Sequence, residues 1–262
     1  MNRNTALTVL ACLVAVALAL PACVPPLTME EHETDDIDAD PDAGESDADE
    51  SGADENDDDE SDDDEEPPGP GTSLGTFENT YYILADETSH EGPAVANLYA
   101  PGCELIATVS QPFADSACIQ GSAVLADDRV INYHSPCSCG GPCTYCWSVL
   151  DPEIFPWGKG SQNNPLEPFR SWAVDTSIIS HGSLLYVEEW DGMELPDIDG
   201  LGGYAHDGCF RADDVGGAIN DYHVDIFAGT RAMWLEMEQI FPTRSTFVVY
   251  GDSPRCEHLE ND

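Results

Sequence analysis

From Glu30 to Glu66 the chain holds 23 aspartates and glutamates and no lysine or arginine. No aromatic residue appears between Thr28 and Gly71, and apolar ones are almost absent. Such a stretch cannot bury enough surface to offset its ordering entropy, and mutual repulsion extends it. Residues 23–71 are therefore expected to form a disordered acidic linker, a tether rather than a folded unit. An EF-hand reading fails because the aspartate runs lack the turn glycine and the closing glutamate of a calcium loop. Folding is confined to residues 72–262, a length that supports one domain with a sizeable core.

The chain carries 52 acidic residues against 8 Lys plus Arg, so the acidic excess continues beyond the tether. Nucleic acid is excluded as a partner on this balance, since binding it relies on neutralising phosphates. Residues 1–22 read as a signal peptide: Arg3, then an apolar run from Ala6 to Leu20, then Leu-Pro-Ala before Cys23. The run is too short to span a bilayer comfortably. Small residues ahead of Cys23 suggest a lipoprotein cleavage site with Cys23 lipidated. The protein would then be exported and lipid-anchored to the outer membrane or cell envelope, with simple secretion as the alternative. Contact with the membrane would be through that anchor only.

Eight cysteines follow: Cys103, Cys118, Cys137, Cys139, Cys143, Cys146, Cys209 and Cys256. The close spacing from Cys137 to Cys146 invites a zinc reading, in which four thiolates close a structural site. Export argues instead for four disulfides and no metal. Cys209 is expected to pair with Cys256 and so fasten the C-terminus. No cofactor-binding motif is present.

The folded part reads all-β. Strand-like runs lie at 77–84, 104–109, 122–126, 129–133, 172–174, 184–189, 204–211, 222–227 and 246–250, separated by Gly, Pro, Asp and Asn. The one helical candidate is 231–240, with Trp234, Met237 and Phe241 on one side. Many short strands with turn signals suggest a closed barrel.

Two stretches carry the chemistry. Residues 209–227 read as two strands around a turn, with Asp214 and Asp225 near the strand ends and Gly216 and Gly217 at the turn. These glycines mark a need for positive φ or for close approach. On the second strand His223, Asp225 and Phe227 share one face, so His223 is read either as orienting Asp225 or, as the favoured reading, as a satisfied surface histidine. An acid between apolar neighbours is costly to bury, so Asp225 is either an edge residue facing water or one with a function. Residues 171–189 repeat the strand, turn, strand pattern, with Asp175 before the turn.

Taken together, Ala-Val-Asp-Thr-Ser-Ile-Ile (173–179), Asp-Val-Gly-Gly-Ala-Ile (214–219) and His-Val-Asp-Ile-Phe (223–227) resemble the three-aspartate, or 3D, domain. This is the catalytic barrel of the membrane-bound lytic murein transglycosylase A family. The resemblance implies a six-stranded double-psi β-barrel with disulfide-stapled loops. It also implies Asp225 as acid and base, with Asp214 and Asp175 tuning it. Thr80 and Tyr82 match a Thr-x-Tyr strand that lies beside the aspartates. With Gly216, Gly217 and Trp157, whose loop also holds Lys159 and Asn163, they make up the expected substrate-binding set.

The chain departs from the family pattern at Asn220-Asp221, where Lys-Gly is common, and at Ser180, where Pro is usual. It is also expected to leave no room for the second domain that walls the glycan cleft in full-length relatives. Two functions follow. One is an exported, cell-wall-active enzyme cleaving peptidoglycan glycan strands by lytic transglycosylase-like chemistry. The other is a non-catalytic, expansin-like module that binds peptidoglycan or a related polysaccharide.

Overall fold

The computed structural model describes residues 68–261, so the signal peptide, Cys23 and most of the acidic linker lie outside the described residues. Six strands close into a barrel: β1 (Thr72–Tyr82), β8 (Ser171–Ala173), β9 (Leu184–Glu194), β10 (Ala205–Asp214), β11 (His223–Phe227) and β12 (Thr246–Gly251). Their order around the barrel is β1-β11-β8-β10-β9-β12. Two of the six pairings, β1 with β11 and β10 with β8, are parallel. The six-stranded barrel expected from the sequence is present.

The inner face follows from alternation. Val224 and Ile226 of β11, Trp172 of β8, Phe210 and Ala212 of β10, and Phe77, Phe247 and Val249 all pack inward in one buried cluster. Trp172 lies 4.4 Å from Phe210 between ring centroids. Helix α2 (Arg231–Ile240) is capped by Thr230, whose hydroxyl accepts the Met233 N–H at 3.2 Å. Its buried face is Met233 and Met237. Trp234 sits at the margin, its indole N–H donating to Glu238 at 2.8 Å.

A second sheet was not foreseen. It is inserted between β1 and β8 and comprises β2 (Ala85–Asp86), β3 (Ala94–Tyr99), β4 (Leu105–Ser110), β5 (Ser122–Val124), β6 (Val130–Pro136) and β7 (Tyr145–Val149). The strand order is β2-β5-β6-β7-β3-β4. Helix α1 (Gln111–Gln120) covers one face and buries Phe113, Ala114 and Ala117. Ser110 caps α1 and Pro112 sits in its first turn. The chain therefore does hold a second layer beside the barrel.

All eight described cysteines are paired. Cys103–Cys139, Cys118–Cys143 and Cys137–Cys146 staple the inserted sheet. Cys209–Cys256 ties β10 to the C-terminal helical turn, as expected. The four thiols that invited a zinc reading are thus consumed in disulfides.

Candidate active site

Residues 209–227 do not form a hairpin. β8 runs between β10 and β11 and pairs with both. The register then writes one line across four strands: Thr80 opposite Asp225, Asp225 opposite Ala173, and Ala173 opposite Asp214. A bulge between Ala212 and Asp214 makes this alignment possible. Two strand spacings separate the backbones of the two aspartates, about 10 Å. Because Val224 and Ile226 point into the core, Asp225 lies on the barrel's outer face.

Asp225 accepts a hydrogen bond at Oδ1 from the Thr80 hydroxyl at 2.7 Å. His223 Nε2 lies 2.9 Å from the same hydroxyl oxygen. Burial pushes the Asp225 carboxyl up to about 6, against the pull of the Thr80 hydrogen bond. Burial also lowers the His223 imidazole below its ordinary value; Glu78 opposes that shift and Arg244 adds to it.

Asp214 is pushed up to about 7. Burial is the main cause, and the carboxylates of Asp213 and Asp225 add to it. The N–H groups of Val215, at 2.9 Å, and Ser161 pull the other way. Ser161 belongs to the loop that returns from the inserted sheet, and this loop is braced on both sides. Lys159 N–H donates to Asn132 of β6 at 2.9 Å. Gly160 sits so close to the Asp213 carbonyl that a β-carbon has no room. Asp213 itself is satisfied: Ser171 donates to it at 2.5 Å and Arg211 Nε at 2.7 Å.

Tyr82 is buried next along the Thr80 face, its ring 4.9 Å from Phe227. Its hydroxyl has no hydrogen-bond partner among the described residues. Burial, then Asp214, Asp225 and Asp213, hold that hydroxyl well above its ordinary pKa. Trp157 packs edge-on to Phe227 at 6.4 Å and joins Tyr82, Leu166 and Val130 in a cluster that seals barrel against sheet. It is a packing residue first, with part of its surface open.

Asp175 stands apart. Its two oxygens accept N–H groups from Ser177 and Asp221, each at 2.8 Å. Those bonds, led by Ser177, hold its carboxyl below the usual range. It pins the turn that leads into β11 rather than touching Asp225. Gly216 meets the close-approach expectation, since a β-carbon there would lie 2.5 Å from Ile219 Cγ1. Gly217 does not: it is open on all sides and its φ is not positive. The left-handed residue of this turn is Asp221, with φ +57°, at the position where the family commonly has glycine. Sequence reasoning had no signal for Ala173 or Ser161 as site residues. The Thr80 link of His223 appears only when β1 and β11 are placed side by side.

A cleft of about 1240 Å³ is bordered by Trp157, Asn164, His181, Arg211 and Asp213, and neither Asp214 nor Asp225 lines it. Asp213, the neighbour of Asp214 in β10, is where the aspartate row meets this cleft.

An outward carboxylate pair on a closed, mixed barrel is the class of site the geometry defines. Residues 170–236 match the family described as the 3D domain. The matched stretch holds Asp175, Asp214 and Asp225, the aspartates on which the resemblance rests. No curated protein matches it. Among solved structures, Escherichia coli MltA with bound chitohexaose is 17% identical, covering 67% of this chain and 71% of that one, at a TM-score of 0.44. A membrane-bound lytic murein transglycosylase from Agrobacterium tumefaciens is 14% identical over 68% and 73%, at 0.42. The lytic transglycosylase LtgG of Burkholderia pseudomallei is 18% identical over 68% and 72%, at 0.37. At such scores the fold stands on its own strand pairing.

Proposed function

We propose that this is an exported, cell-wall-active protein that cleaves peptidoglycan glycan strands by lytic transglycosylase-like chemistry, with Asp225 as acid and base. The observation that carries the reading is the row Thr80, Asp225, Ala173, Asp214, with both carboxyls held above the usual range. A carboxyl at about 6 is partly protonated near neutral pH and can give a proton to a leaving oxygen. Asp225 donates to the glycosidic oxygen as the bond to the anomeric carbon breaks. The resulting carboxylate takes the proton of the sugar's C6 hydroxyl, whose oxygen closes onto the anomeric carbon as a 1,6-anhydro ring. No water is consumed and no cofactor enters. Asp214, bonded by two N–H groups, holds its proton more tightly than Asp225 and so stands as a largely uncharged neighbour while Asp225 alternates between acid and base. Tyr82 and Trp157 contribute the apolar floor beside it.

Four disulfides support export to an oxidising space. Lipidation at Cys23 is part of the same proposal, and fatty-acid probe labelling that survives Cys23→Ser counts against it. The binding-module reading has one observation in its favour: the 1240 Å³ cleft bypasses both aspartates. Incubation with isolated sacculi separates the two. The enzyme reading expects 1,6-anhydromuropeptides from the wild type and about 10³-fold less from Asp225→Asn. Binding to sacculi without that product leaves only the module.

A further inference from the structure

Thr80 has one hydroxyl proton and two lone pairs. Its oxygen lies 2.7 Å from Asp225 Oδ1 and 2.9 Å from His223 Nε2. An ionised carboxylate only accepts, so the hydroxyl proton points to Asp225. The hydroxyl oxygen must then accept from His223, which fixes Nε2 as an N–H. Were Nε2 bare, it would draw the hydroxyl proton to itself and leave two lone pairs facing each other across the Thr80–Asp225 contact.

The groups around this chain favour the neutral ring. His223 is half-buried, and Arg244 disfavours its charge while Glu78 favours it. Asp225 faces Thr80, with Asp214 and the Tyr82 hydroxyl beyond. Oδ2 of Asp225 has no hydrogen-bond partner among the described residues.

We propose that His223 is a positioning residue: through Thr80 it keeps Oδ1 of Asp225 occupied as an acceptor, so that Oδ2 is the oxygen that holds and releases the proton. This rests on the role proposed for Asp225, but its central measurement does not require turnover. With His223 removed, the Thr80 hydroxyl is free to turn, and a protonated Asp225 can place its proton on Oδ1 and donate back to Thr80. Half of the acid would then point its proton into the protein.

The test is a carboxyl ¹³C NMR titration of Asp225 in the full chain. His223→Leu should raise its midpoint by about 0.5–1 pH unit, because the Thr80 bond to the carboxylate weakens. His223→Gln, whose amide N–H reaches about as far as Nε2, should restore the wild-type midpoint. In a Thr80→Val background, His223→Leu should change nothing further. Should the leucine variant not fold, His223→Asn, too short to reach Thr80, replaces it. A wild-type midpoint in the leucine or asparagine variant overturns the proposal, as does an equal shift in the Thr80→Val background. In turnover, kcat should fall about tenfold in His223→Leu with KM unchanged, and glutamine should rescue it. If the wild type makes no anhydro product while the titration shifts appear as stated, the enzyme reading fails and the His223–Thr80–Asp225 linkage stands.

Discussion

The barrel and the inserted sheet solve the same problem in opposite ways. The barrel has no free edge and a core of large side chains, with Trp172, Trp190, Phe210 and Phe247 fully or nearly fully buried. It needs one disulfide, and that one lies at its rim. The sheet is open at β2 and β4, and five of its eleven core residues are alanine. Three disulfides fall within residues 103–146. A thin core buries too little apolar surface to hold an open sheet, and cross-links make up the difference by restricting the unfolded chain. The difference teaches where chemistry can be placed. The closed barrel is rigid enough to hold two buried carboxyls in register, whereas the sheet contributes a braced loop over one of them.

The largest test of this contrast is Trp172→Ala. It removes the ring at the barrel's centre and should cost about 3–5 kcal/mol in denaturant unfolding, with the sheet's cross-links unable to compensate. Next comes the strain of the site itself. Asp214 has a folded pKa near 7 against 3.8 unfolded, so its contribution is full below about pH 4 and fades as pH rises through 7. Wild type should lose up to about 4 kcal/mol from this group between pH 4 and 8, and Asp214→Asn should flatten that slope. Breaking Cys118–Cys143 with paired serines should cost about 3 kcal/mol. Hydrogen-exchange protection should fall across the sheet and stay in the barrel; loss in both would erase the distinction. The smallest effect is expected for Asp175→Asn, a slight loss in denaturant midpoint, since it weakens the bonds to Ser177 and Asp221. The Asp225 titration should not move in that variant.

The barrel was largely legible in the sequence because its strands alternate cleanly, as in His-Val-Asp-Ile-Phe, and its turns carry glycine. Helix α2 was found for a similar reason, though its buried face is Met233 and Met237 rather than Trp234. The sheet was legible only in part: the runs at 104–109, 122–126 and 129–133 are β4, β5 and β6, but β2, β3, β7 and the grouping into a separate layer were not read. β3 is short of polar alternation and shifts register twice, while β7 lies inside a cysteine cluster that invites other readings. Helix α1 has Ser110, Pro112 and Gly121 as start and stop signals, but its apolar positions are mostly alanine and give weak periodicity. For the site, the motifs located Asp214 and Asp225 but not their arrangement. That β8 separates them is a non-local pairing, which no local pattern encodes. Asp175 was grouped with them by motif, yet its carboxylate is spent on backbone N–H groups.

Thr72 and Gly251 are paired across β1 and β12, so the first and last barrel strands bring their outer ends together. Arg255 Nε also donates to the Pro68 carbonyl at 2.7 Å, so the C-terminal helical turn lies against the chain that enters β1, and a short peptide is expected to join the two. New termini opened at the exposed Asp199–Gly200 turn, remote in sequence from the aspartate row, would give a circular permutant with every barrel pairing intact.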